Sequence, residues 1–372
     1  MMTVADDMNV RLLPPTAEAW KAAEQGNKDI IVLMSGGVDS SVTAMLLKQA
    51  GWNVLGITMK IPVAERCDYQ RSCCGVEAAY VCRDLGIPHY YVDVREAFEH
   101  LVIEPFRRSY AEGRTPSPCV DCNTALKFGL VWDFLEENFG VHYLATGHYA
   151  RVVQSDGRFC LATAADTSRD QSYFVYGVPA NRLSRLILPL GELTKDQVRG
   201  LARGAGLPVA SRPDSMELCF AGEGDYRSAL VGTDAPTGPI LDTAGNVIGE
   251  HDGIHNYTMG QRRGLRVAAG SPLYVTQICP EDNSITAGTH ADICRRDVQA
   301  EDVNVLIPEK LRRGEHLSGK IRSQGGPSSC TVADIDSSTV KVKFQTPQFA
   351  PTPGQRLVLY DGDRVVAGGT MC

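Results

Sequence analysis

Residues 29–49 read DIIVLMSGGVDSSVTAMLLKQ, and this stretch constrains the fold more than any other. Asp29 to Met34 is a short, continuous apolar run, as expected of a strand buried on both faces of a parallel sheet. SGGVDS, Ser35 to Ser40, follows at once. SVTAMLLKQAG then sets Val42, Met45 and Leu46 on one helical face, with Gly51 as a stop. Gly36 and Gly37 let the backbone approach an anion closely. The helix N-terminus offers unpaired N–H groups and the positive end of a dipole, and Ser35, Ser40 and Ser41 add hydroxyl donors. Asp39 beside a phosphate calls for Mg2+ between them. A bare Gly-Gly turn would say little. Strand, SGGxDS and helix in that order predict a pyrophosphate site with its metal.

The alternation continues. VLGITMK (54–60), HYYVDV (89–94) and the start of HYLATGHYA (142–150) read as strands. Residues 76–86, about 96–112 and about 124–138 read as helices, with a Pro-rich loop TPSPCVDCN over 115–123. Thr194 to Gly204 is a further helix, with Thr194 and Gln197 at capping-box spacing. The first half is therefore expected to be α/β, a doubly wound parallel sheet. Around 231–249 the composition shifts to Gly, Pro, Asp and Thr, which suggests an inter-domain connection. The tail differs: KIRSQ, SCTVADI, TVKVKF and RLVLY alternate or are β-branched, and Asp361-Gly362 is a hairpin signal, so a small β-barrel or sandwich is expected. A chain of 372 residues suits two or three domains. The expected boundaries are an N-terminal extension 1–28, partly helical, a catalytic domain 29–222, a small central domain 223–290 and a C-terminal β-barrel 291–372.

Composition narrows the function. With 43% hydrophobic and 22% charged residues the chain is globular, not disordered. No run reaches the roughly 18 to 20 apolar residues of a membrane span. A net charge of −7 argues against a wholly basic nucleic-acid binder and leaves room for a local basic face. The N-terminus lacks the basic and apolar regions of an export signal, so a cytoplasmic location is expected. There the 12 cysteines stay reduced, and most are small core residues. Cys119 and Cys122, in PCVDC, and Cys219, in DSMELCFAGEGDYR, stand apart because their surroundings are polar and rich in Gly or Pro; a thiol beside a helix start can have its pKa lowered. Cys67, Cys73 and Cys74 form a second local group, read as structural.

IVLMSGGVDSSV resembles the PP-loop of the ATP-pyrophosphatase superfamily. TPSPCVDCNTALKF and DSMELCFAGEGDYRSAL resemble the two catalytic segments of the tRNA-specific 2-thiouridylases. The resemblance runs on through GHYARV, RDQSYFVYGV, GIHNYTMGQRRGL and TPGQRLVLY, and so covers nearly everything after residue 29. It implies ATP-dependent 2-thiolation of uridine 34 in the anticodon stem-loop of tRNA. AMP would activate the 2-carbonyl oxygen, and a persulfide on Cys219, acting with Cys122, would deliver sulfur. The sulfur would come from a relay protein or cysteine desulfurase, or from inorganic sulfide. Carried over residue by residue, Leu33, Met34, Ser35, Gly36, Gly37, Val38, Asp39, Ser40, Met59 and Gly147 fall on nucleotide-contacting positions. Ser117, Pro118 and Cys119 fall on the segment touching the target base. His148, Arg169, Asp170, Gln171, Arg322 and Gln355 fall on tRNA contacts. Ser323 stands after Arg322 where the family often has Tyr. Many members have Asp where this chain has Cys119, which opens a second reading. Cys119, Cys122 and Cys219 would hold three irons of a 4Fe–4S cluster, leaving the fourth iron for sulfide. Against this stand Cys119 as a bystander or as a partner that resolves a disulfide with Cys122, and a zinc site.

A basic face for tRNA is sought among Arg182, Arg185, Lys195, Arg199, Arg203 and Arg212, then Arg262, Arg263 and Arg266, then Arg312, Arg313, Lys320 and Arg322. Two rivals remain from the sequence: a PP-loop ligase acting on a small carbonyl substrate, which has no use for the cysteine pair, and a non-catalytic RNA- or metal-binding module, which has no use for SGGVDS.

Overall fold

The computed structural model describes residues 8–23, 28–62, 75–213, 218–221, 229–230 and 236–372. The chain divides into two compact units: residues 1–101 with 119–225, and residues 102–118 with 226–372. The cysteine group at 67, 73 and 74 lies outside the described residues.

In the first unit, strands β1 (Arg11–Leu12), β2 (Asp29–Leu33), β3 (Asn53–Lys60), β4 (His89–Asp93), β5 (Tyr143–Ala145), β6 (Ala150–Ser155), β7 (Arg158–Thr163) and β8 (Leu186–Ile187) follow in chain order. One sheet runs β1-β4-β3-β2-β5-β8. All its pairs are parallel except β1 with β4. Its central strands are apolar on both faces because helices cover both: Ile30, Ile31 and Val32 have no solvent exposure. From β2 the chain steps outward to β3 and β4, then returns to the other side of β2 with β5. The order therefore reverses between β2 and β5, and ligands of open α/β sheets bind beyond the strand ends at such a switch point. Helices α1 (Val38–Gln49) and α2 (Val76–Asp84) follow β2 and β3.

Three expectations need correction. None of residues 8–23 is helical; β1 instead pairs with the edge strand β4, Arg11 opposite Asp93. The loop expected over 115–123 ends early, because a short helix, Pro118–Asp121, starts at a proline that has no N–H to lose there. It runs into a wide-turned π-helical stretch, Cys122–Val131, and then α3 (Trp132–Phe139). The expected connection around 231–249 contains a hairpin of β9 (Gly238–Leu241) and β10 (Val247–His251).

That hairpin belongs to the second unit. With β11 (Tyr274–Cys279) and β12 (Ser284–Gly288) it forms a four-stranded sheet, β10-β9-β12-β11, around Ile240, Ile254, Tyr257, Val275 and Ile285. Next come β13 (Cys294–Val305), β14 (His316–Lys320), β15 (Ser328–Ile335), β16 (Val340–Phe349), β17 (Arg356–Asp361) and β18 (Arg364–Met371). They pair antiparallel in the order β13-β16-β15-β14-β17-β18, and β13 also pairs with β18, closing a six-stranded barrel without free edges. Asp361 pairs with Arg364 across the hairpin expected at Asp361-Gly362, where Gly362 takes a positive φ of 63°.

Candidate active site

Ser35 to Ser40 lies beyond the carboxyl end of β2, at the switch point. Three hydroxyls shape it. The Ser35 N–H donates to Ser40 Oγ (3.1 Å), and the Ser35 and Ser40 hydroxyls are 3.2 Å apart. Ser41 Oγ donates to the Gly37 carbonyl at 2.8 Å. Gly36 has φ 77°, and a Cβ there would crowd Glu77 and the Ala78 nitrogen at 3.3 Å. Gly37 caps α1 with extended backbone and no side-chain acceptor, so the first turn of α1 is available to an anion. Gly147 follows β5, the strand across the switch point. A Cβ there would stand 2.8 Å from the Ser40 nitrogen and 2.9 Å from the Asp39 carbonyl carbon. Only glycine fits that approach. Met59, near the end of β3, is half-buried opposite Val92.

Asp39 has partners that its place in the motif does not announce. Both of its carboxylate oxygens accept from Lys195 Nζ at 2.8 Å, and the Tyr149 hydroxyl donates to Oδ1 at 2.9 Å. The oxygens reserved for Mg2+ in the sequence reading thus already face an ammonium, so a metal does not fit Asp39 in this arrangement. Lys195 is only 7% exposed and opens helix α4 (Lys195–Gly204), whose Thr194–Gln197 capping box forms as expected. A lysine at the positive end of a helix dipole is poorly placed by itself. That mismatch is the one sequence signal that a carboxylate waits for it. A second pair flanks the loop: Arg212 bridges Glu77 (2.8 Å) and the Gly36 carbonyl (3.4 Å).

The same unit holds the three cysteines. Cys122 is buried at the start of the π-helical stretch; Cys119 and Cys219 keep an exposed edge. Phe220 anchors the second segment, its ring centroid 5.8 Å from that of Phe98. Crowding by protein is the first cause that raises all three thiols, Cys219 to about 12, and the neighbouring Cys122 and Cys119 raise Cys219 further. The lowered pKa expected of a helix-start thiol is therefore not found. One cation works in the other direction: Lys127 lowers all three thiols. Lys127 lies in the same π-helical stretch that Cys122 opens. Lys127 Nζ donates to Asn123 Oδ1 at 2.9 Å, and Asn123 Nδ2 donates to the Phe174 carbonyl at 2.9 Å, so the ammonium is held in place. Although Lys127 lies inside CNTALKF, nothing in the sequence shows the wide-turned helix that carries it.

Among the described residues no three His, Cys, Asp or Glu side chains converge as a metal-holding group. The cysteine set does not fit an iron–sulfur cluster in this arrangement.

The residues assigned to tRNA divide. His148 is half-buried, its Nδ1 2.7 Å from Thr146 Oγ1; burial and Lys127 hold its pKa down, to about 3, so the ring is neutral. Asp170 accepts from the Ala164 N–H, the Ser172 N–H and the Ser172 hydroxyl. Gln171 exchanges two bonds with the Tyr149 backbone, at 2.8 and 2.7 Å. Gln171 thus braces the His148–Tyr149 loop, Asp170 ties its own turn to Ala164, and Arg169 is exposed. In the second unit Gln355 donates to the Thr115 and Pro116 carbonyls at 3.2 and 2.9 Å, fixing the chain just before the buried Ser117 and Pro118. Arg322 lies 5.7 Å over the Phe349 ring, which stacks on His290 at 5.1 Å, so aromatic neighbours reach it from elsewhere although Ser323 follows it.

The expected basic face shrinks. Arg182 pairs with Asp133 and Arg185 with Glu136; Arg199 donates to the Ala210 and Arg212 carbonyls; Lys195 and Arg212 serve the phosphate loop; Lys320 is buried. Arg203, Arg262, Arg263, Arg266, Arg312, Arg313 and Arg322 remain exposed. No helix among the described residues is long and apolar enough to cross a membrane.

Comparison with known proteins agrees with this architecture. Residues 28–223 match the family model described as the tRNA methyl transferase HUP domain, 231–289 the tRNA methyl transferase PRC-barrel domain, and 295–371 the aminomethyltransferase beta-barrel domain. The chain is 40% identical over 358 residues to the tRNA-specific 2-thiouridylase MnmA of Lachnoclostridium phytofermentans, covering 92% of this chain and 99% of that one. It is 42% identical over 357 residues to the protein of the same name from Desulforamulus reducens, covering 92% and 97%. To the tRNA-specific 2-thiouridylase MnmA 1 of Syntrophus aciditrophicus it is 41% identical over 366 residues, covering 97% of each.

Proposed function

Because the chain belongs to the tRNA-specific 2-thiouridylase family, we propose that it is a cytoplasmic sulfurtransferase that thiolates uridine 34 of tRNA at the expense of ATP. The observation that carries this reading is the presence, in one compact unit, of an anion-ready loop at the switch point and three neighbouring thiols around Lys127.

The loop and the first turn of α1 receive the phosphates of ATP, with Mg2+ accompanying the nucleotide's own phosphates. The uridine 2-oxygen attacks the α-phosphate, the bond to pyrophosphate breaks, and the base is left with AMP as leaving group at C2. Oxygen leaves a carbonyl reluctantly, and adenylation removes that obstacle. Cys219 carries the incoming sulfur as a persulfide, whose terminal sulfur attacks C2. The Cys122 thiolate then attacks the inner sulfur of Cys219. A Cys122–Cys219 disulfide forms, the electron pair passes to the sulfur on C2, AMP departs, and 2-thiouridine remains. A dithiol reductant reopens the disulfide. The persulfide is loaded by a sulfur-relay protein or a cysteine desulfurase.

The test is pyrophosphate release from ATP with and without unmodified tRNA, alongside nucleoside analysis of the tRNA. Release that depends on tRNA, with 2-thiouridine at position 34, is the expected result. Release with a small carbonyl compound alone would instead identify a ligase, and no release at all a binding module.

A further inference from the structure

Two carboxylates, Asp39 and Glu77, lie at the phosphate loop, and each meets a cation from the 195–212 segment. The Asp39 pair is the more enclosed. Lys195 is 7% exposed, reaches both Asp39 oxygens at 2.8 Å, and lies 5.8 Å over the Tyr149 ring, whose hydroxyl bonds Asp39 as well. Asp39 stands in the first turn of α1, where the anion must sit. A bare carboxylate there would repel every phosphate that arrives, in a partly desolvated place where charges are weakly screened.

We propose that Lys195 is a positioning residue of the phosphate site: it neutralises Asp39 from within the protein, so that the loop accepts a polyphosphate. This inference rests on the reading of Ser35 to Ser40 as an ATP loop and goes beyond it, since it gives the Asp39 charge to a side chain rather than to a metal. Tyr149 fixes the geometry of the pair, and Gln171 fixes the Tyr149 backbone. The chain of contacts from Lys195 through Asp39 and Tyr149 to Gln171 therefore ties the loop to the RDQ segment.

Binding of ATP and of AMP is measured by titration calorimetry at fixed Mg2+, then repeated over a range of Mg2+ concentrations. In Lys195→Met the exposed Asp39 charge should weaken ATP by about tenfold or more, the size of one poorly screened like-charge contact, and AMP much less, because it carries fewer phosphates. Asp39→Asn combined with Lys195→Met should bring ATP back to within about threefold of the starting protein, since both charges are gone. Asp39→Asn alone should hold or tighten ATP and leave the Mg2+ dependence unchanged. The double variant buries no unpaired charge, and it decides the matter even if Lys195→Met fails to fold. Equal weakening of ATP and AMP in Lys195→Met, or a double variant as weak as the single one, would overturn the inference. So would an Asp39→Asn protein that binds ATP poorly and needs more Mg2+, which would make Asp39 a metal ligand. Should the unaltered protein bind neither nucleotide, the ATP-loop reading itself would fall.

Discussion

The phosphate loop and the thiol centre share one compact unit, yet they are built in different ways. The loop is made by its own chain. Ser35, Gly36, Gly37 and Ser40 are consecutive or nearly so, and hydroxyl-to-backbone bonds between residues a few positions apart set its shape. The thiol centre gathers Cys119 and Cys122 from one segment and Cys219 from another about a hundred residues on. Its thiols are crowded and protonated, with one fixed ammonium against that trend. A site specified locally can be finished before a substrate arrives. A site that holds its nucleophiles as thiols has its reactivity still to be released, by an incoming sulfur or by the substrate's own rearrangement of the surroundings. A persulfide is more acidic than a thiol, so loading Cys219 with sulfur would itself overcome the barrier that burial imposes.

The sharpest way to separate the two regions is to disable each and ask what the other still does. Cys122→Ser and Cys219→Ser should each cut 2-thiouridine formation by at least about a hundredfold, as loss of a nucleophile does. ATP binding should stay within about twofold, because among the described residues the bonds that shape the loop involve neither sulfur. Full thiolation by either variant in a nucleoside digest would remove that cysteine from the mechanism. Cys119→Ser is the informative contrast. In the persulfide route it should be mild, and a loss as deep as the other two would bring the three-thiol reading back.

What the sequence made legible follows the same division. β2, SGGVDS and α1 were readable because each depends on neighbours along the chain. So was the Asp361-Gly362 hairpin. The basic face was read poorly because a lysine's surroundings are not written beside it. Lys195, Arg182 and Arg185 look like surface charges in the sequence, and they turn inward only because Asp39, Asp133 and Glu136 come to them from about fifty to over a hundred residues away. Lys127 is hidden in the sequence for a subtler reason. Its neighbours along the chain do not show that it faces the thiols, which the fold brings to it from two segments. Gln171 and Gln355 matched tRNA-contacting positions of the family, but the structure shows them bracing the segments beside His148 and Ser117. A motif match identifies a position and leaves open whether its side chain touches the ligand or the loop that does.

Gly147 joins the loop to the strand across the switch point, and its substitution should damage the phosphate side alone. In Gly147→Val the new side chain meets Asp39 and Ser40 backbone that cannot rotate away. A destabilisation of about 1–3 kcal/mol is expected, together with weaker ATP binding. Thermal unfolding and nucleotide titration check both, while the alkylation rates of Cys122 and Cys219 should hold. Unchanged ATP binding would mean that the contact is not part of the phosphate site.

Lys127→Met is the corresponding change on the thiol side. Removing the cation takes away the one influence that lowers all three thiols. Losing an opposite charge disfavours the thiolate, so alkylation near neutral pH should slow several-fold. The sign of the pH dependence follows from the raised thiols. For Cys219, whose thiol is pushed up to about 12, the reactive thiolate fraction grows about tenfold per pH unit, so the logarithm of its alkylation rate should climb with unit slope from about pH 7 to about pH 10. The variant should follow a parallel, lower line. A plateau below about pH 8 in the unaltered protein would show an activated thiolate, contrary to the crowding described, and ATP binding that fell with the thiol rate would erase the separation between the two regions.

The smallest effect expected tests whether the corrected basic face is the right one. Arg262 and Arg263 are exposed, whereas Arg182 and Arg185 hold carboxylates of their own fold. A guanidinium already paired releases few counterions when RNA arrives, while an unpaired one facing a phosphate releases about one. Arg262→Glu with Arg263→Glu should therefore weaken tRNA binding several-fold near physiological salt and flatten the log–log salt slope by up to about two. Arg185→Gln should leave that slope alone and lower the thermal midpoint instead, because Glu136 loses a partner 2.7 Å away. If the two results were exchanged, so that the paired arginine set the salt slope and the exposed pair did not, tRNA would have to break the Arg185–Glu136 bridge as it docks. The binding face would then lie beside α3 rather than on the segment around residue 262.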